Sequence, residues 1–254
     1  MTTEEQARLE ALEKEAAQLR EKLRQQDAFI RRTFGPYLTE EVLEEVLGTG
    51  GELEVGGECR LVTILFCDLR QSTELSERMA PPDFIRMLNH FLEEMIELIN
   101  AWSGNILGFA GDAIDAVFGA PQENPDSARD AVACAVVMQR RMKAVNEWNR
   151  AEGYPDLSMG IGIHTGEAIL GNIGSHTRMK YDMIGRNVNL ASRIESLTEG
   201  GQILISSETR DAAGDLVHID PAASFCARPK GIREEVLVHD VIGFGSMRTP
   251  RAEG

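Results

Sequence analysis

Residues 61–73 read Leu61-Val62-Thr63-Ile64-Leu65-Phe66-Cys67-Asp68-Leu69-Arg70-Gln71-Ser72-Thr73. The seven uncharged residues up to Cys67 are mostly apolar, several of them β-branched, and predict a strand buried on both faces. The run ends abruptly in Asp68. Leu69 to Thr73 then open a helix whose free N–H groups suit phosphate oxygens.

Downstream, Pro81-Pro82-Asp83 starts a longer helix. Phe84, Leu88, Phe91, Met95, Leu98 and Trp102 fall on one face of it, and Gly104 closes it. Asn105–Ala110 and Ala113–Phe118 are short apolar stretches joined by Gly111-Asp112, a hairpin signal. A second long helix is expected from Asp126 to about Trp148, with Ala128, Ala131, Ala135, Met138, Met142 and Val145 inward. Strands are expected at Leu157–Ile163 and Ala168–Ile173. The order β-α-β-β-α-β predicts an α+β fold with a ferredoxin-like core, further strands and helices being appended after it. Such a fold hosts many functions, so the chemistry has to be argued from particular side chains.

Asp68 ends the buried strand, and Asp112 sits at the tip of the hairpin beside it. Taken singly, each reads as a strand end entering water. At the same end of one sheet, two carboxylates repel unless a divalent cation lies between them. A second cluster runs from Tyr181 to Arg193. If residues from Asn187 onward are helical, Asn189 and Arg193 share a face. That pair is either a solvated helical face or a clamp in which Arg meets phosphate charge and Asn fixes a sugar or water.

The N-terminal part differs in kind. Leu9, Leu12, Ala16, Leu19, Leu23, Gln26 and Ile30 recur at steps of three and four among charged residues, a heptad seam that predicts a two-stranded coiled coil over residues 1–32. The alternative is an amphipathic helix lying on its own domain, although a narrow stripe favours a partner helix. Residues 33–59, with a Gly- and Glu-rich stretch from Gly48 to Gly57, read as a transducer or linker. The main domain spans 60–242, and 243–254 read as a flexible tail.

The chain has 254 residues, 26 Lys and Arg against 41 Asp and Glu, and a formal charge of -15. Such a surface repels nucleic-acid backbones and anionic lipid, so neither is an expected partner. Four dispersed cysteines without a CxxC pair read as packing. The charged first 30 residues do not resemble a signal peptide, and no apolar run approaches the ~20 residues of a membrane span, so a cytoplasmic location is expected. No P-loop, HExxH or GxGxxG unit occurs. His164, a lone histidine between strand residues, reads as structural.

In order and spacing, the Val62–Asp68 run, Gly111-Asp112-Ala113 with Val117-Phe118-Gly119, Gly162-Ile163-His164-Thr165-Gly166, and Val188-Asn189-Leu190-Ala191-Ser192-Arg193 resemble the successive motifs of class III adenylate and guanylate cyclases. The resemblance covers residues 60 to about 240, and the helical lead-in is similar to the coiled-coil linker that joins such domains to sensors. It implies a phosphorus-oxygen lyase that converts ATP to 3′,5′-cyclic AMP and pyrophosphate with two Mg²⁺ or Mn²⁺, at sites shared across a homodimer. It assigns metal binding to Asp68, Asp112 and the carbonyl of Leu69. Leu69, Ser72, Thr73 and Lys230 would contact the triphosphate, Asp182 the base, and Asn189 and Arg193 the ribose and transition state. The ATP-using members carry lysine at the position of Gly108, and Asp115 stands where the family is apolar; Asp115 reads as an edge residue facing water. GTP is therefore an alternative substrate, and a non-catalytic signalling module a second alternative. The GG[DE]EF hairpin of diguanylate cyclases is absent. A sensor domain upstream is a possible partner.

Replacing Leu19 by Lys is expected to weaken association of the chain and to lower its activity. Sedimentation equilibrium and a rate assay that both remain at wild-type values would remove the case for a coiled coil.

Overall fold

The computed structural model describes residues 3–35, 43, 47–48, 54–228 and 235–253. It divides into two compact units, Met1–Glu54 and Val55–Gly254. In the first, helix α1 spans Thr3–Phe34 and exposes Leu12, Leu19 and Leu23. Of the expected linker segment 33–59, residues 36–42, 44–46 and 49–53 lie outside the described residues.

The second unit is built on β1 (Gly56–Leu69), α2 (Ser72–Arg78), α3 (Pro81–Ala101), β2 (Gly104–Ala110), β3 (Ala113–Phe118), α4 (Ser127–Glu152) and β4 (Met159–Ser175). There follow β5 (Arg178–Ile184), α5 (Arg186–Glu195), β6 (Ile203–Ser206), α6 (Ser207–Ala213), β7 (Val217–Ala227), β8 (Val236–Phe244), β9 (Met247–Arg248) and α7 (Pro250–Glu253). The main path of the sheet runs β2-β3-β1-β4-β6-β8-β7; β5 pairs with β4 and β9 with β8. Its first four strands, with α3 and α4, are the ferredoxin-like βαββαβ unit.

The apolar run of β1 is explained by cover on both sides from Val62 onward, whereas Leu61, expected to be buried with it, is exposed. Leu65, Cys67 and Leu69 enter a core made with Met87, Phe91 and Met95 of α3 and with the inner residues of α4. Val62 and Ile64 point the other way, into a cluster with Leu107, Val117, Ala168, Leu170, Met183 and Ala191. Alternate residues of one strand therefore feed two cores, as strand geometry requires. Proline at the start of α3 sits where an N–H would have no helical partner anyway.

Three expectations are corrected here. The separate strands at Leu157–Ile163 and Ala168–Ile173 are one 17-residue strand, β4. Gly166 and Glu167 interrupt the apolar pattern without breaking the ladder, because β1 pairs with β4 continuously from Gly56↔Asn172 to Leu69↔Met159. Asp115 does not face water at an edge: it lies half-buried on β3 between β1 and β2, opposite Phe66 and Gly108. Residues 243–253 form no free tail, since β8 runs to Phe244 and Met247–Arg248 pairs back onto it.

Helix α5 crosses β4 at Gly162. A Cβ built there would come within 2.2 Å of Glu195 N and 2.4 Å of its Cα. Gly162→Val is expected to force α5 off the sheet and to cost about 3 kcal/mol, the upper range for overpacking, in urea denaturation. A midpoint unchanged from wild type would contradict the close approach.

Candidate active site

Asp68 and Asp112 are brought together by strand pairing. β1 and β3 are antiparallel with Cys67 opposite Ile114, so the residue after Cys67 and the turn before Ala113 meet at one end of the sheet. The turn is tight. Ala110 pairs with Ala113, which leaves a two-residue loop with Gly111 at φ +71°, a backbone shape that favours glycine.

Both aspartates are half-buried, and the Oδ2 of Asp112 is buried with no hydrogen-bond partner. The Asp68 carboxyl is pushed up to about 7, first by burial and then by Asp112 and Glu195, with Arg70 acting the other way. A carboxylate pair with an orphaned buried oxygen fits a divalent cation, which would satisfy that atom and relieve the repulsion. Among the described residues no group of three or more His, Cys, Asp or Glu side chains is placed to hold a metal. Two carboxylates, completed by backbone oxygen, water and substrate phosphate, are the mode in which Mg²⁺ is commonly bound. Leu69, whose side chain is buried, follows Asp68 at the strand end, where its carbonyl could contribute.

Arg70 organises this end of the sheet, and the residue pattern had not singled it out. Its guanidinium donates to the Asp68 carbonyl at 3.1 Å, to the Thr198 carbonyl at 3.3 Å, and to the Glu195 carboxylate. Glu195 is buried, and its carboxyl is raised by that burial against the opposing effect of Arg70. Arg70 thus ties the end of β1 to the end of α5. No local sequence pattern links residues 125 positions apart.

Ser72 and Thr73 are the first residues of α2, a seven-residue helix with no side-chain cap on its N-terminus. Gln71 before it is left-handed at φ 61°, an uncommon conformation for a residue with a Cβ. Asn189 and Arg193 lie one turn apart on the exposed side of α5, opposite the buried Leu190, Ala191 and Ile194, as their spacing predicts. Asp182 is on β5. Its Oδ1 accepts from Met183 N–H at 2.9 Å and its Oδ2 from Lys180 Nζ at 2.9 Å. Lys230 lies outside the described residues.

His164 is structural in its contacts. Nδ1 is 2.8 Å from Ser206 Oγ and Nε2 is 3.1 Å from Asn187 Oδ1, while Asn187 donates to the Glu167 carbonyl. It pins the start of α5 to β4, and burial lowers its pKa.

The carboxylate pair at the sheet end, the uncapped start of α2 and the Asn–Arg face of α5 all lie between residues 57 and 227. Residues 57–227 match the family model of the adenylate and guanylate cyclase catalytic domain, and the chain belongs to that class III family. It is 31% identical over 216 residues to adenylate cyclase 1 of Rhizobium meliloti, a match covering 83% of this chain and 32% of that protein. It is 40% identical over 161 residues to the adenylate cyclase of Anabaena cylindrica, covering 61% of this chain and 31% of the relative. The chain thus spans about a third of the length of these curated relatives. Among solved structures, the guanylyl cyclase Cya2 superposes with a TM-score of 0.74 at 44% identity, covering 77% of this chain and 100% of that one. The adenylyl cyclase CyaB of P. aeruginosa gives 0.72 at 34%, covering 76% and 99%.

Because the folded-state pKa of Asp68 lies above the usual aspartate value of about 3.9, the metal-free protein binds more protons folded than unfolded between those values. Its stability should therefore fall as pH rises from about 4 to about 7. Asp112→Asn is expected to bring the Asp68 titration down and to flatten that fall. Carbon-13 NMR of the Asp68 carboxyl, followed in the absence of metal, measures its titration directly. An Asp68 midpoint indifferent to the exchange would show that the two groups do not interact.

Proposed function

We propose that this chain cyclises ATP to 3′,5′-cyclic AMP, releasing pyrophosphate. The observation that carries the proposal is the Asp68–Asp112 pair with its orphaned Asp112 oxygen, an arrangement suited to a cation-bound triphosphate. The 3′ oxygen of the ribose attacks the α-phosphorus of the same nucleotide. The new O3′–P bond replaces the bond from that phosphorus to the bridging oxygen of the pyrophosphate, and the hydroxyl proton passes to solvent water. No covalent enzyme intermediate is needed, so no nucleophilic side chain is required.

Asp68 and Asp112, with the carbonyl of Leu69, would hold two Mg²⁺ or Mn²⁺. When bound, these ions would lower the pKa of the 3′-hydroxyl and neutralise charge on the triphosphate. Ser72 and Thr73, at the start of α2, receive phosphate oxygens. Arg193 offsets charge developing on the phosphorus and Asn189 orients the ribose, both from the exposed side of α5. Lys230 would neutralise the leaving pyrophosphate. Asp182 accepts from the exocyclic amine of adenine.

The acting unit is a homodimer in which one chain supplies the aspartates and the other supplies Asn189, Arg193 and Lys230. Two copies then build two equivalent sites. Exposed Leu61, Ile169 and Ile184 around the β1–β4–β5 region support burial against a second copy. The exposed leucines of α1 support a parallel coiled coil over 1–32, joined through 33–59 to a catalytic domain at 60–242 and receiving a signal from a sensor upstream. Among the described residues no helix is long and apolar enough to cross a membrane, in keeping with a cytoplasmic site of action. A guanylate cyclase is the second reading, favoured by the 44% identity to Cya2, with Gly108 leaving the base open.

Product formation from ATP and GTP, each with Mg²⁺ and Mn²⁺, tests the reaction. Cyclic AMP should form, and Asp68→Ala should abolish it; cyclic GMP from the same site would replace ATP by GTP in the scheme. Arg193→Ala is expected to lower the rate at least a hundredfold, the scale of removing one charge-stabilising donor. Mixing Asp68→Ala with Arg193→Ala chains should restore about a quarter of the wild-type rate, since half the dimers are mixed and each regains one of two sites. No recovery on mixing, with exchange of subunits shown, would refute the shared site.

A further inference from the structure

The hydrogen bonds around His164 run further than the pin at the start of α5. His164 is 2% exposed, and on β4 it shares the parity of Ala168, which packs on the α5 side. Its neighbour Thr165 shares the parity of Ile161 and Ile163 and faces the α3–α4 core. From Thr165 a line of buried hydroxyls crosses that layer. Thr63 Oγ1 lies 2.9 Å away, and Ser127 Oγ, at the start of α4, is 3.4 Å from Thr63. In the other direction Thr165 donates to Thr209 Oγ1 at 3.1 Å, and Thr209 Oγ1 is 3.3 Å from Ser206 Oγ. Ser206, the N-cap of α6, stands 2.8 Å from His164 Nδ1.

What each atom can do fixes the directions of the last bonds. The Glu167 carbonyl only accepts, so the amide nitrogen of Asn187 faces it and Asn187 Oδ1 faces His164. An amide oxygen only accepts, so the ring proton sits on Nε2. Burial holds the ring neutral against the pull of Glu208, whose carboxylate is 3.9 Å from Nδ1 and largely in water. A neutral imidazole has one N–H, so Nδ1 accepts from the Ser206 hydroxyl. Gly166 makes room for the arrangement: a Cβ there would come within 2.5 Å of Asn187 Nδ2 and 3.1 Å of His164 Nε2.

Helix α5 begins at Gly185 with no side-chain cap on its N-terminus. Asn187, in the first turn, ties that end of the helix to β4 through the Glu167 carbonyl and the imidazole. Asn189 and Arg193 follow on the same ten-residue helix. We infer that His164 is a positioning residue of the cyclisation: donating from Nε2 to Asn187, it sets where the first turn of α5 stands, and so where Asn189 and Arg193 meet the nucleotide. Resting on the cyclase proposal, this role adds to the site a residue that touches no substrate. The hydroxyl line carries the same hold to the starts of α4 and α6, so three helices are registered through one imidazole.

The test is a cycle between His164 and Asn187 in the full-length chain. Wild type, His164→Leu, His164→Gln, Asn187→Ala and the double variant of His164→Leu with Asn187→Ala are assayed with ATP, and their Tm values are measured. His164→Leu keeps the bulk but offers no donor. It should lower kcat about 10- to 100-fold, the scale of a small misplacement of reacting groups, with KM for ATP near its wild-type value. His164→Gln, whose amide N–H can take the place of Nε2–H, should recover most of the rate. Asn187→Ala should match His164→Leu, and the double variant should be no slower than Asn187→Ala alone. In wild type labelled with nitrogen-15 histidine, two-bond proton–nitrogen spectra should give His164 the Nε2–H tautomer.

A wild-type kcat in His164→Leu, with Tm lowered, would make His164 a residue that only stabilises the fold and overturn the role. Additive losses in the double variant, or a proton found on Nδ1, would overturn it too. Should His164→Leu not fold, Asn187→Ala decides, since a wild-type kcat there excludes action through Asn187. Wild type inert toward ATP and GTP would instead sink the cyclase proposal. The position of α5 is then read from the backbone amide resonances of Asn189 and Arg193, which should move in Asn187→Ala and in His164→Leu and return in His164→Gln. Resonances that stay in place would overturn the role of His164 as well.

Discussion

Everything at the working end of this molecule depends on β1 being buried on both faces. Sandwiched between α3 and α4 on one side and the α5 cluster on the other, the strand has no room for charge from Val62 to Cys67. The first position able to carry a carboxylate is where the sandwich opens, and that position is Asp68. Because β3 pairs with β1 in fixed register, the hairpin tip bearing Asp112 must arrive at the same opening. The two carboxylates are neighbours through backbone pairing, held together against their own repulsion. The Asp112 oxygen, buried with no donor, is the most direct sign of what the site is built to take.

Arg70 supplies part of the restraint. It spends its donors on two backbone carbonyls and on Glu195, and reaches the Asp68 carboxylate only at 3.5 Å. A cation so occupied keeps the loop shape and only partly offsets the charge of the pair, so Asp68 remains raised despite its nearest positive neighbour. Glu195 in turn anchors the end of α5, the helix that presents Asn189 and Arg193. Beyond the packing of α5 on the sheet, the guanidinium thus gives the carboxylate end and the clamp helix a direct polar link within one chain.

Much of this was legible in the residues. The unbroken run at 61–67, the Gly-Asp tip and the three- and four-residue spacing of the helices fix the βαββαβ core, because each is a periodicity that only one element satisfies. That Asn189 and Arg193 share a helical face followed from spacing in the same way. The appended strands were harder to read. Continuity of β4 through Gly166 and Glu167 is decided by its partner strand, and the partner's register is not written in the local pattern. Arg70 and Glu195 are likewise joined by tertiary structure alone. Local periodicity finds elements, whereas contacts between distant strands have to be seen.

The contact at Gly162 has a mechanical meaning. Helices usually rest on sheets through interlocking side chains, which can shift rotamers and absorb small displacements. Here the backbone of α5 at Glu195 rests on a residue with no side chain, so that cushion is missing. The helix and strand form a stiff joint, and a displacement of β4 reaches the Asn–Arg face with little lost to compliance on the way. A joint of that kind turns a modest strain in the sheet into a change in where a clamp points.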